Sequence, residues 1–65
     1  MKIIVNGDVR SVSAACLADA LEELGFDGAV VATAVNEEFV TAASREDTQL
    51  SEGDRLEVLA PMQGG

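Results

Sequence analysis

Apolar and polar positions divide the chain into short blocks. Ile3, Ile4 and Val5 form a β-branched run that stops at Asn6-Gly7, the pair best suited to a tight hairpin because both positions tolerate positive φ. A return strand is expected over Val9 to Val12, with its outer face polar. Leu17, Leu21 and Leu24 then recur at i, i+4 and i+7, while Asp19, Glu22 and Glu23 fall largely elsewhere. That spacing predicts an amphipathic helix between Ala14 and Leu24, begun at Ser13 or nearer Cys16 and ended by Gly25 as the residue after the cap. Ala29 to Val35 is valine-rich and short, which fits a strand covered on at least one face. Asn36-Glu37 predicts a turn and Phe39-Val40 a short return strand. Thr41 to Gln49 reads as polar irregular chain. Ser51-Glu52-Gly53-Asp54 is a turn that leads to a last strand, Arg55 to Ala60, with Leu56, Val58 and Ala60 on one face and Leu59 on the other.

Strand, strand, helix, strand, strand, strand is the order that results. One amphipathic helix crossing one face of a mixed sheet buries its single stripe economically. The fold class expected is α+β, a β-grasp (ubiquitin-like) mixed sheet of four to five strands with one main helix on one face. Residues 1–60 form a single domain on this reading and residues 61–65 a flexible tail, with Pro61 fixing φ and ending sheet pairing.

Composition narrows the chemistry. At 65 residues the chain is one small domain with little room for a cleft. Histidine, tryptophan and tyrosine are absent from the sequence and there is one cysteine, Cys16, so an internal disulfide and cysteine-ligated metal sites are ruled out. Cys16 falls near the helix start, where a thiol can gain reactivity; a small half-buried cysteine is the commoner case. The net charge of −8 repels phosphate backbones and favours encounter with basic surfaces. Nucleic acid and membrane are not expected as partners, and a cytoplasmic location is. Neither an acid–base pair nor a glycine loop for phosphate is visible, so an enzyme is not expected.

The last residues, Gly64-Gly65, carry the candidate chemistry. Glycine suits a main chain that must enter a narrow channel, since without Cβ it reaches backbone angles closed to other residues. A terminal carboxylate, with a reference pKa of about 3.5, is anionic and a poor electrophile at neutral pH. Transfer of AMP from ATP would convert it to an acyl-adenylate open to a sulfur or nitrogen nucleophile. The chain would then be a substrate rather than a catalyst. Leu59 and Met62 are candidates for an exposed apolar contact with such a partner.

A resemblance to a known family covers nearly the whole length, from Met1-Lys2-Ile3-Ile4-Val5-Asn6-Gly7 through the helical Leu17 to Gly25, and is most specific at the hairpin Val35-Asn36-Glu37-Glu38-Phe39-Val40 and at Leu50 to Gly65. On these residues the chain resembles the ThiS-type sulfur carriers of thiamine biosynthesis, within the wider ThiS/MoaD ubiquitin-like group. It departs from that pattern at Thr41-Ala42-Ala43-Ser44-Arg45, where the family often has a Pro-Arg pair followed by an aromatic residue. The resemblance implies that a ThiF-like adenylating enzyme activates the Gly65 carboxylate with Mg and ATP. Sulfur from a persulfide donor then makes a thiocarboxylate, and a ThiG-like thiazole synthase consumes it. Gly64 and Gly65 take their role by matching the motif; no catalytic residue, metal or bound cofactor is implied. A MoaD-like carrier for molybdopterin synthesis and a non-catalytic ubiquitin-like adaptor or modifier are the alternatives.

Overall fold

The computed structural model describes residues 1–26 and 30–60. Among the described residues there are five strands: β1 (Lys2–Val5), β2 (Asp8–Ser11), β3 (Ala32–Val35), β4 (Glu38–Val40) and β5 (Arg55–Leu59). An α-helix, α1 (Leu17–Glu23), follows β2, and a 3₁₀ helix (Ala42–Asp47) follows β4. The strands lie in the order β2-β1-β5-β3-β4. β5, last in sequence, is therefore central: it runs parallel to β1, pairing Ile4 with Arg55 and Val5 with Leu56, and antiparallel to β3, pairing Ala32 with Leu59 and Val35 with Leu56. This is the β-grasp arrangement.

Both hairpins turn on asparagine. Asn6 and Gly7 have φ of 50° and 90°, and Asn36 and Glu37 have φ of 51° and 74°. Gly7 adopts this region freely, whereas Glu37 carries a Cβ there at a cost of roughly 1–2 kcal/mol. Main-chain pairing at the open end of the first hairpin continues past the strands, with Met1 and Val12 exchanging N–H and carbonyl bonds in both directions.

The helix is shorter at its start than its apolar spacing suggests. The Leu17 N–H donates to Thr48 O, the Leu50 N–H donates to Ala15 O, and Cys16 bridges to Gln49. Main-chain groups at Ala15 to Leu17 that could have joined a first helical turn are thus committed to the segment before β5, and Cys16 becomes the N-cap residue with no side-chain cap bond. The other end follows expectation. Phe26 N–H reaches Leu21 O and Gly25 N–H reaches Glu22 O, with Gly25 at φ 92°, the paired bonds of a Schellman ending.

Alternation places Ile3 and Val5 of β1 and Leu56 and Val58 of β5 against Leu17, Ala20 and Leu21 of α1, with Val12 and Leu50 completing the buried cluster. Thr33 is the one buried polar residue among those described, 1% exposed. Its hydroxyl donates to Val40 O and accepts from Arg45 Nε, while Arg45 Nη2 donates to Val31 O at 2.6 Å. Within Thr41 to Gln49, expected to be irregular, Ala42–Asp47 form the 3₁₀ helix that delivers this arginine. The sequence carries four basic residues, and Arg45 directs its charge inward to β3.

Glu23, on the last turn of α1, accepts from the Ser13 hydroxyl at 2.5 Å and the Ser13 N–H at 2.8 Å. These two bonds, the hydroxyl first, hold its carboxyl below its ordinary pKa. A depressed carboxylate stabilises the fold above its unfolded pKa, about 4.3, and that contribution is lost as pH falls through the lower folded value. Ser13→Ala should accordingly lower stability at neutral pH, and the gap from the unmodified chain should close as pH drops below about 4.3. Urea titrations of both chains across that range check it; a gap independent of pH would count against the tie.

Candidate functional site

β5 emerges from the middle of the sheet, held on both edges, and carries the chain out through Leu59 and Ala60. Its two faces are unlike. Leu56 and Val58 point into the core, while Arg55, Glu57 and Leu59 point to the open face of the sheet. Leu59 is 65% exposed. Met62, Gly64 and Gly65, the other candidates from the sequence, lie outside the described residues, as does Pro61.

The sheet register shows what surrounds Leu59. Ala32 stands opposite it on β3, and two residues along the same face Ala34 stands between Glu57 on β5 and Phe39 on β4. Phe39 is 70% exposed and Val30, just ahead of β3, is 80% exposed. Val30, Val31, Ala32, Leu59 and Ala60 line a shallow, mostly apolar depression beside the point where the chain leaves β5. Large apolar side chains grouped on one face mark a contact surface more often than singly scattered ones do. Phe39 and Val30 were not singled out by sequence reasoning. Alternation with the buried-side Val40 could have placed Phe39 on the open face; for Val30, which precedes the strand, no periodic signal was available.

Charge elsewhere on the surface is acidic. The chain carries twelve Asp and Glu against four Lys and Arg. The exposed Arg55 and Glu37 approach at 3.9 Å, a solvated pair that contributes little to stability. Among the described residues no group of three or more His, Cys, Asp or Glu could hold a metal ion, and no helix is long and apolar enough to cross a membrane. Cys16 is a half-buried free thiol at the start of α1.

A helix grasped by a mixed sheet, with the central strand leading the chain out beside an exposed apolar face, defines a small ubiquitin-like β-grasp protein. The ThiS family model matches residues 3–65, and the chain belongs to the ThiS family. It is 39% identical over 61 residues to the sulfur carrier protein ThiS of Thermus thermophilus, covering 94% of this chain and 95% of that one. It is also 39% identical over 66 residues to a thiazole synthase of Paramagnetospirillum magneticum; there all of this chain is matched, but it spans only 20% of the longer protein. Among solved structures, the crystal structure of the thiamine biosynthesis protein ThiS from Geobacter metallireducens superposes with a TM-score of 0.83 at 29% identity, with full coverage of both chains. A solution NMR structure of a thiamine biosynthesis protein from the same organism gives 0.78 at 28% identity, covering 100% of this chain and 88% of that one.

Proposed function

We propose that this chain is a sulfur carrier of thiamine biosynthesis, a protein substrate rather than an enzyme, with the Gly65 carboxylate as the group that carries sulfur. The observation that carries this reading is the family match running through residue 65, on a fold whose central strand, β5, ends at Leu59, shortly before that residue in sequence. A ThiF-like adenylating enzyme would transfer AMP from Mg-ATP to the carboxylate, releasing pyrophosphate. The terminal sulfur of a persulfide donor then attacks the acyl carbon and AMP leaves. Two-electron reduction of the resulting acyl disulfide by a thiol leaves the thiocarboxylate. A ThiG-like thiazole synthase takes the sulfur into the thiazole ring and returns the carboxylate.

Two further features support the reading. An anionic surface raises encounter rates with basic docking faces, and the exposed Leu59 and Val30, with Phe39 on the same open face, offer apolar contact where the chain leaves β5. The thiazole synthase that contains a segment similar to this whole chain favours thiazole formation over molybdopterin synthesis as the destination of the sulfur.

Intact mass tests the proposal. After incubation with the adenylating enzyme, Mg-ATP and a persulfide source, the unmodified chain should gain mass corresponding to one oxygen replaced by sulfur. An unchanged mass, in a mixture shown to act on another carrier, would rule the reading out. An isopeptide bond from Gly65 to lysine would point instead to a protein modifier.

A further inference from the structure

The two strands that flank β5 each end in valine and run into an asparagine, Asn6 after Val5 of β1 and Asn36 after Val35 of β3. Both asparagines sit in the left-handed region, and their carboxamides grip opposite ends of β5. Asn36 holds the start of the strand. Its N–H donates to Arg55 O at 2.7 Å, the Arg55 N–H donates to its Oδ1 at 3.0 Å, and its Nδ2 donates to Asp54 Oδ1 at 3.1 Å. Asn6 reaches toward the far end. Its N–H donates to Leu56 O at 2.9 Å, the Val58 N–H donates to its Oδ1 at 2.9 Å, and its Nδ2 donates to Val58 O at 3.1 Å.

The second arrangement solves a geometric problem. β1 pairs with β5 only as far as Val5 opposite Leu56 and then turns away at Asn6-Gly7. The N–H and carbonyl of Val58 face the side that β1 has left. A carboxamide has the donor and acceptor of a peptide group, so the Asn6 side chain supplies one more rung to the parallel ladder after the main chain has departed. On the β1 side, it is Asn6 that secures β5 at Val58 instead of Leu56, two residues nearer the tail.

We propose that Asn6 is a positioning residue for Gly65 activation, its carboxamide fixing the direction in which β5 delivers the tail. This rests on the carrier reading above. Asn6 acts on the chain at Val58, ahead of Gly65 in sequence and through the main chain alone, so its influence falls on how often the carboxylate is correctly placed once the partner has docked.

Asn6→Gly and Asn36→Gly form a matched pair, because glycine keeps the left-handed backbone and removes the carboxamide in each. Adenylation is read as ATP–pyrophosphate exchange by the ThiF-like enzyme over a range of carrier concentrations, at a temperature where circular dichroism shows both variants folded. With misplacements of about 1 Å able to cost on the order of 10²-fold, Asn6→Gly should lower kcat about threefold to tenfold with KM within about twofold, and Asn36→Gly should leave kcat unchanged. Hydrogen exchange at the Val58 amide should quicken in Asn6→Gly alone. Equal kcat in the two variants, or a loss wholly in KM, overturns the inference. Should Asn6→Gly fail to fold, Asn6→Asp keeps the acceptor and loses the donor, and an unchanged kcat in that variant also overturns it. Failure of the unmodified chain to support exchange overturns the carrier reading, and this inference with it.

Discussion

Deleting Gly65 should leave a chain that melts like the unmodified one and is adenylated at least about 10²-fold more slowly. The fold is spared because the last strand pairing is Ala32 with Leu59, well before the deletion. The chemistry is not, because the new carboxylate on Gly64 lies about 3.3 Å of extended chain short of its former reach. Residues 61–65 span roughly 16 Å when extended, so the withdrawal is about a fifth of the tail. ATP–pyrophosphate exchange and intact mass after sulfur transfer measure the effect. Normal adenylation of the shortened chain would mean that the terminus is not the reactive group.

Two substitutions on one strand should separate fold from recognition. Leu56 is 1% exposed, packed between sheet and helix, and its truncation to alanine removes buried methyl groups and leaves a cavity costing about 2–5 kcal/mol. At 0.05–0.15 kcal/mol per residue a domain of this length has roughly 3–10 kcal/mol in total. Leu56→Ala should therefore shift the urea midpoint sharply downward and leave a substantial unfolded fraction. Leu59→Glu, three residues on and facing outward, should leave that midpoint nearly unchanged. It should weaken the adenylating partner's recognition by about tenfold, seen in KM, if Leu59 is one of the few central anchors whose loss costs more than about 1 kcal/mol, since a charge cannot fill an apolar pocket. Unaltered adenylation kinetics in Leu59→Glu would remove the open face from the interface.

The local elements were legible because their signals are local. Asn6-Gly7 and Asn36-Glu37 turn where positive φ is needed, and Gly25 ends the helix through bonds to its own last turn. Boundaries and partners were less so. Ser13 or Cys16 could each begin the helix by spacing, and the choice fell to Cys16 because the Leu17 N–H bonds to Thr48 O and the Leu50 N–H to Ala15 O. Ala32–Val35 is shorter than the valine-rich run that announced it, since apolarity marks burial or contact rather than strand pairing. The segment from Thr41 to Gln49 gave no period to read, yet it folds into a 3₁₀ helix because Arg45 finds Thr33 and Val31. Of the candidate site, the outward face of Leu59 followed from alternation along its own strand. Alternation with Val40 sets Phe39 opposite the buried side, but only its pairing with Ala34, which in turn pairs with Glu57, brings it to the same sheet face as Leu59.

The sequence by itself determined the hairpins, the apolar stripe of α1, the two-faced last strand and the pairing of that strand with a Gly-Gly tail. Each depends on residues within a few positions of one another, where backbone preference and side-chain period act without help. Only the folded sheet decides that Asn6 and Asn36 hold opposite ends of β5, that Arg45 turns inward, and that Leu59 and Val30 line one depression where the chain leaves β5. Those outcomes require strands far apart in sequence to lie side by side, and a carboxamide or guanidinium takes its role from whichever main-chain group the finished sheet leaves unmet.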